Sequence, residues 1–384
     1  FLEKVKEVNS REVPFWYPNV KMFQNSRINV KKDQKISDLF THRNLIAASI
    51  IYNAIETKID DSETKDMMKF VFTSAVPQMT KLIFVIRKRG KNNGVEKEEL
   101  GSWVAGYWMP NDRFELHAWR FFENRFERIR KGKEECNKIR NYAKNETVFY
   151  YNESAKNLES IKDNSIDYIF TDPPYADYVP YFEQSLLWAS WLKKNLDFDN
   201  EIVISNSPER EKNQTNYLKD LEMAFLKIGT KLKQNKFMTV TFNSVKPDIW
   251  DGFLRAVENA GFKLVNIKSI STSACSVVQD SRPGALKGDL YLTFQKTDEI
   301  HNVLMVEETE SVGKSQILNI IDNFITEKGS ASYDEIFSFV MPKIIKNKLV
   351  AKDNDLRTIL KNNYVLLNNQ WTQNKEQRTL LVYR

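Results

Sequence analysis

The sequence predicts an α/β protein: a doubly wound sheet preceded by a helical insertion and followed by a small winged-helix-like domain. Three observations lead there. From Thr147 onward, short apolar runs alternate with helical stretches, the grammar of a parallel sheet with helices on its faces. Before Thr147 the apolar spacing is mainly helical, and the chain closes on three short helices and a β pair. Its 384 residues leave room for two or three domains at roughly 100–200 residues each. They are expected at 1–146, 147–300 and 312–384.

The first 35 or so residues lack periodicity and are expected to wrap onto another element. Leu39, Leu45, Ala48, Ile51 and Ile55 then recur at helical spacing, with Ser37 or Asp38 as the expected N-cap. Met67 to Ile86 is read as a second helix, ending in the loop that carries Arg87, Lys88, Arg89 and Lys91 among Gly90, Asn92, Asn93 and Gly94. Arg113 to Lys144 reads as a long charged helix with Phe122, Ile129, Cys136 and Ala143 on one face and Gly132 in its middle. Strands are expected at Thr147–Tyr151, Asp167–Thr171, Phe237–Phe242, Lys263–Ile270 and Asp289–Phe294, the last two pairing antiparallel at an edge. Helices are expected at Tyr181–Leu192, Tyr217–Leu232 and Asp248–Ala260, the last stopped by Gly261. Beyond a polar linker at Glu307–Ser311, Ile317, Ile320, Ile321 and Phe324 mark one helix. Ser332 and Glu335 have capping-box spacing before a second, Asp353 to Asn362 offers a third, and Val365–Leu367 with Thr379–Tyr383 is read as a hairpin.

Composition excludes several classes. With 41% hydrophobic, 12% aromatic and 28% charged residues the chain is neither disordered nor fibrous. No apolar run approaches the ~18 residues of a membrane span, and no signal-peptide pattern opens the chain, so a cytoplasmic location is expected. Cys136, Cys275, His42, His117 and His301 are too scattered for a zinc cage or a disulfide framework, and no metal is expected. The net charge of +6 is concentrated: from Met341 onward nine Lys/Arg face three acids. That surplus on a winged-helix pattern points to a polyanionic partner.

The sharpest signal is Thr171-Asp172-Pro173-Pro174-Tyr175, at the carboxyl end of a predicted buried strand, where open α/β sheets bind ligands. Two prolines fix the backbone and remove two N–H donors, so the turn presents acceptors. A carboxylate and a nearby carbonyl can accept both hydrogens of an exocyclic amine. The nitrogen lone pair then loses conjugation with the ring and can be aimed at an electrophilic methyl group, which is catalysis by positioning and electrostatics. Tyr175 offers a flat face for a base, and a base attacked at its amino group must leave the duplex to reach such a pocket. The plainer alternative is a rigid exit turn with Tyr175 packed on a helix.

The stretch Asn164 to Tyr175, NSIDYIFTDPPY, resembles the catalytic motif of S-adenosylmethionine-dependent amino-group DNA methyltransferases, a family with a Rossmann-like sheet. The Asp-headed motif is usual in N6-adenine enzymes, whereas N4-cytosine enzymes more often carry Ser. The resemblance continues through Tyr178-Val179-Pro180-Tyr181, Trp250, Ala260-Gly261-Phe262 and the closing edge pair, covering about 150–296. More loosely, Leu39 to Leu45, LFTHRNL, resembles a segment of a large bacterial group of adenine-specific methylases.

The resemblance implies that Asp172 and the Pro173 carbonyl hold the amine, that Pro174 completes the turn, and that Tyr175 stacks on the base. It implies cofactor contacts at Asn152, Glu153, Ser154 and Thr171, with Asn-Glu standing where the family has Gly-Asp; Ser154 is equally readable as a helix N-cap. Tyr178 and Tyr181 are candidates for the base pocket or for packing. The implied activity is methyl transfer from S-adenosylmethionine to the N6 amine of adenine in DNA, in a restriction-modification or defence setting.

One departure matters. The family's Gly-rich loop, which lets backbone approach the cofactor, occurs nowhere among the 12 glycines. With Phe1 in place of Met, the expectation is a cofactor loop lying upstream or on a partner chain. Candidate phosphate contacts are Arg87, Lys88, Arg89 and Lys91 in the loop, and Lys343, Lys346, Lys348 and Arg357 in the C-terminal module. On the long helix, Arg120, Arg125, Arg128, Arg130 and Lys131 interleave with Glu123, Glu127, Glu134 and Glu135, the pattern of a solvated face. Trp103 and Trp108 flank Gly106 and read as packing or stacking residues. The rival readings are methylation of N4 of cytosine or of an amine in RNA, and a non-catalytic DNA-binding or specificity subunit of the same fold.

Overall fold

The computed structural model describes residues 2–88, 97–103, 106–140, 147–271, 286, 288–297, 310–349 and 355–373. The chain forms two compact units. One comprises Phe1–Tyr150, Val179–Glu201 and Ser205–Lys212; the other comprises Tyr151–Tyr178, Ile202–Ile204 and Asn213–Arg384.

The first unit begins with α1 (Leu2–Ser10), α2 (His42–Lys58) and α3 (Ser62–Ala75). Thr41, not Ser37 or Asp38, caps α2, its side chain accepting from the Asn44 amide. Asp38 instead accepts from the Lys35 amide at a 3-10 turn over Ile36–Leu39. The helix expected over Met67 to Ile86 divides. It ends at Ala75, Pro77 opens a 3-10 turn, and the β-branched run beyond becomes β1 (Ile83–Lys88). This pairs antiparallel with β2 (Lys97–Trp103). The long charged helix is α4 (Ala118–Arg140); Phe122 is buried in the core and Ile129 is partly buried against the same core, whereas Cys136 is exposed. Arg130 pairs with Glu127 and Glu134, as the interleaved charges predict. Ala143 lies outside the described residues. Trp191, fully buried at the end of α5 (Tyr181–Trp191), is ringed by Trp16, Phe40, Tyr52 and Phe72 at 5.1–6.1 Å.

The second unit is a mixed α/β domain around a four-stranded sheet. Its strands are β3 (Ile166–Thr171), β4 (Leu232–Phe242), β5 (Phe262–Ser271) and β6 (Gly288–Lys296), in the order β3-β4-β6-β5. β3 and β4 are parallel; β4–β6 and β5–β6 are antiparallel, so the expected edge pair is found and the sheet as a whole is mixed. Thr147–Tyr151 is not a strand. Val148, Phe149 and Tyr150 are 91, 73 and 88% exposed, because no neighbour among the described residues supplies a ladder for them.

Two helices cover one face of this sheet. On α6 (Gln214–Lys231) Tyr217, Leu221, Phe225 and Ile228 form one buried stripe, and on α7 (Pro247–Asn259) Ile249, Trp250, Phe253, Ala256 and Val257 form another. They meet Met238, Val240, Phe242, Leu290, Leu292 and Phe294, all buried, with Phe253 stacked on Phe242 at 4.1 Å. Gly252 permits the close approach of α7 to α6: a Cβ there would meet the Leu218 side chain at 2.5 Å. Gly261, at φ +83°, turns the chain from α7 into β5.

The C-terminal elements are α8 (Glu310–Lys328), α9 (Tyr333–Lys346), α10 (Leu356–Asn363), β7 (Tyr364–Leu367) and β8 (Gln370–Gln373). Their apolar side chains join the core of the sheet, and α9 packs against β5 and β6. Tyr364–Leu367 pairs with Gln370–Gln373; Thr379–Tyr383, the expected partner, lies outside the described residues. Asn368 and Asn369 both take positive φ, 50° and 63°, making the two-residue turn that joins adjacent strands. The capping box at α9 is complete: Ser332 accepts from the Glu335 amide, and Glu335 accepts from the Ser332 amide at 2.8 Å. Ser332→Ala is expected to cost about 1 kcal/mol in urea denaturation. An unchanged midpoint would show that the tertiary contacts of α9 alone set its start.

Candidate active site

The sequence Tyr168-Ile169-Phe170 builds a strand whose Ile169 faces the core while Tyr168 and Phe170 are 55 and 58% exposed. Parallel register with β4 sets Thr171 beside Val240. Asp172 therefore emerges at the carboxyl end of both strands, exposed and clear of the ladder. The turn after it is held from below. The buried Tyr217 donates its phenol to the Pro174 carbonyl at 2.7 Å, and the Ala176 amide donates to the same carbonyl at 3.0 Å. Among the described residues no donor reaches the Pro173 carbonyl, which remains an acceptor next to Asp172. Ala176 is buried with φ +55°, a conformation costly for a residue with a Cβ, and its carbonyl accepts from the Ile204 amide at 3.1 Å. That bond and the surrounding core hold the strained turn in place.

Tyr175 is half-buried, its ring edge-on to Phe242 at 5.4 Å. Its phenol lies among Thr241, Asp172 and Asp289; burial pushes its pKa far above the usual phenol value, with the two carboxylates adding to the rise. Asp289, near the start of β6, comes to the same end of the sheet because the antiparallel register sets Phe242 opposite Leu290. Burial raises its carboxyl pKa, and the Asp172 charge raises it further, while Asn243 and Tyr175 oppose the rise by hydrogen bonding. Asn243, 5% exposed, donates to the Gly288 carbonyl at 2.5 Å and lies 3.5 Å from Asp289 Oδ1. Its own Oδ1 has no hydrogen-bond partner among the described residues. Sequence reasoning missed Asp289 and Asn243; only the pairing of β6 with β4 brings them to Asp172.

The remaining expected residues fall as follows. Asn152, Glu153 and Ser154 are exposed. Glu153 accepts from the Ser160 amide at 3.1 Å and from its hydroxyl, and Ser154 accepts from the Lys156 amide at 3.3 Å in a turn, not at a helix cap. Thr171 ends β3 and is half-buried. Tyr178, 37% exposed, belongs to the unit of the sheet, whereas Tyr181 starts α5 in the other unit. Arg87 pairs with Asp112 at 3.0 Å and with Glu98 at 3.7 Å. Lys88 ends β1, and Arg89 and Lys91 lie outside the described residues, as does the linker up to Glu310. Lys343, Lys346 and Lys348 are exposed at and beyond the end of α9, Lys343 over the Phe339 ring at 3.5 Å. Arg357 is half-buried, with its guanidinium 4.7 Å from the Tyr333 ring. Trp103 packs edge-on to Trp188, and Trp108 is 43% exposed near Phe84. Among the described residues no three His, Cys, Asp or Glu side chains converge as metal ligands, and no helix is long and apolar enough to cross a membrane.

No family model and no curated protein matches the sequence. Among solved structures, the chain is similar to TTHA0409 of Thermus thermophilus, described as a candidate DNA modification methylase. The selenomethionine form matches at 11% identity with a TM-score of 0.23, covering 44% of this chain and 61% of that one. The form complexed with S-adenosyl-L-methionine matches at 11% identity with a TM-score of 0.24, covering 44% and 64%. The chain thus spans under two thirds of the length of these structures. A TM-score of this size does not define a fold, and the α/β architecture stands on the sheet order and register given above.

Proposed function

We propose that this chain transfers a methyl group from S-adenosylmethionine to the N6 amine of adenine in DNA, as part of a restriction-modification or defence system. The observation that carries the reading is the exposed Asp172 carboxylate beside a Pro173 carbonyl with no internal donor among the described residues, at the carboxyl end of parallel strands. An exocyclic amine has two hydrogens to donate, and these two acceptors take both. The lone pair is thereby freed from the ring, and the Asp172 charge stabilises the positive nitrogen of the transition state. After attack the amine is acidic and loses its proton without a base at the outset. Tyr175 supplies the stacking face, with Tyr178 of the same unit as a further aromatic candidate for the pocket.

S-adenosylmethionine supplies the electrophilic methyl group when bound. The donor set fits it in part: Asn152 and Ser154 are exposed and, with Thr171, are the residues that would hold it, whereas Glu153 would have to leave Ser160. Lys343, Lys346 and Lys348 form an exposed basic end of α9 suited to DNA phosphates; Arg357, over the Tyr333 ring at the other end of α9, is a further candidate, as are Arg87, Lys88, Arg89 and Lys91.

The test is incubation with labelled S-adenosylmethionine and duplex DNA, followed by nucleoside analysis, beside calorimetric titration of the cofactor alone. N6-methyladenine is the expected product. N4-methylcytosine, or label in RNA only, would overturn the base or substrate assignment. DNA binding without any cofactor binding would favour the non-catalytic subunit.

A further inference from the structure

The C-terminal hairpin carries apolar surface that the core does not use. In the β7–β8 register Tyr364 stands opposite Gln373 and Leu366 opposite Trp371, and the inward-facing Tyr364 and Trp371 are buried. Leu366 overhangs that face at 50% exposure, while Leu367, on the other face beside Gln370, is 59% exposed. Asn368 and Asn369 follow at the turn, both exposed. From Tyr364 to Gln373 the hairpin has no charged residue, although the chain from Met341 onward holds nine Lys/Arg against three acids. Its tip is thus two leucines and two carboxamides set in a basic segment. α10 leads directly into it, burying Leu356, Ile359 and Leu360 and exposing Lys361 and Asn362. α10 also starts beside the candidate site. Leu356 and Tyr333, the first residues of α10 and α9, line one small cavity with Ser244, Val245 and Pro247, which follow β4 at the end of the sheet where Asp172 emerges.

We propose that the β7–β8 hairpin is a DNA wedge: Leu367, backed by Leu366, enters the minor groove at a base step, and the Asn368 and Asn369 carboxamides donate to acceptors on the groove floor. The partner, duplex DNA, rests on the methyl-transfer reading above. Apolar side chains inserted between base steps unstack them and kink the duplex by roughly 20–90°. Carboxamides suit the same groove, where A·T pairs present only acceptors, the adenine N3 and thymine O2. Phosphate contact needs charge that the hairpin lacks, and Lys361 supplies it on the helix that leads in. A protein partner fits less well, because two leucines fall far short of the roughly 800 Å² that each side of a stable interface buries. The kink has a use at the candidate site. A target base must leave the stack to reach Asp172, and a duplex already unstacked nearby releases it at lower cost.

The test is the bending, by the full chain, of a duplex of about 30 base pairs that contains TA steps, the steps most easily kinked. Energy transfer between dyes at the two ends reads the bend, and 2-aminopurine beside the steps reads unstacking. The wild-type chain is expected to raise both signals. Leu367→Ala is expected to lose both while its melting temperature stays within about one degree of wild type, since the side chain is 59% exposed. Asn368→Gly together with Asn369→Gly keeps a turn at φ 50° and 63° accessible and removes the carboxamides, and duplex affinity is expected to fall about tenfold. In neither variant should the slope of log affinity against log salt change, because no phosphate contact is lost. Lys361→Ala is the contrast: it should reduce that slope by about 0.9 and leave the bend of the bound duplex intact. Bending and unstacking that survive in Leu367→Ala overturn the wedge, as does a wild-type chain that binds the duplex and leaves it straight. Unfolding of Leu367→Ala would place the leucine in the core and overturn it equally, and unchanged affinity in the Gly pair would overturn the contacts to the groove floor. Methylation of long mixed-sequence DNA, assayed in parallel, separates the two readings. Bending without methyl transfer keeps the wedge and fails the methyl-transfer reading; methyl transfer without bending does the reverse; no binding and no methyl transfer overturn both.

Discussion

Asp172→Ala is expected to lose roughly 10³-fold in methyl transfer, the scale on which removal of a preorganised transition-state contact is felt. Its melting temperature is expected to stay within about one degree of wild type. The reasoning is positional. Asp172 is exposed, it lies past the last ladder pair of β3, and the turn behind it is held by Tyr217, Ala176 and Ile204 without its help. Surface substitutions of this kind usually change stability by less than about 0.5 kcal/mol. Asp172→Asn keeps one acceptor oxygen and loses the charge, so it separates the two contributions. A variant that still orients the amine but cannot stabilise the cationic nitrogen should retain base binding and lose rate. Parallel measurement of duplex binding, methyl incorporation and thermal unfolding checks this. Wild-type turnover by Asp172→Ala would remove the mechanism, and loss of folding would show Asp172 to be a structural acceptor.

The parts of this molecule that were legible in its sequence are those written locally. Asp172 could be placed because an apolar run and a Pro-Pro pair next to it fix both a strand and its end. The start of α9 could be placed because Ser332 and Glu335 carry their own cap. Two errors came from signals that were present. Pro77 marks the break between α3 and β1, and Asn368-Asn369 marks the hairpin turn. Thr147–Tyr151 misled for a different reason: β propensity describes a fit to a sheet, and among the described residues no strand pairs with this segment. Asp289 and Asn243 were illegible in principle. Each is an ordinary polar residue in its local context, and only the antiparallel register of β4 and β6 gives them a common address with Asp172.

Arg210→Ala is expected to be the most destabilising single change in the first unit, by about 3–5 kcal/mol, because it leaves two carboxylates buried without their cation. Arg210 lies 2.7 Å from Glu183 and 2.7 Å from Glu201, with the three side chains 1, 0 and 5% exposed. Its guanidinium also donates to the Phe198 carbonyl at 2.6 Å and covers the Phe198 ring at 4.8 Å. Glu183 is further held by Ser205 at 2.8 Å, and Glu201 accepts from the Phe182 amide at 3.0 Å, so the cluster ties α5 to the segment after it. Burial raises the Glu201 pKa even with Arg210 present, since the guanidinium only opposes that rise. A carboxyl whose folded pKa is raised contributes its full stability below the unfolded value, about 4.3, and loses it as pH climbs through the folded value. Without Arg210 the opposition is gone and the folded pKa climbs further. The stability gap between Arg210→Ala and wild type should therefore be widest near neutral pH and narrow as the solution is acidified toward about pH 5. Denaturant melts of both proteins at several pH values measure it. A gap that stays constant across that range would mean that the buried carboxylates do not bear the cost, and that lost packing of the Arg210 side chain against Phe198 does.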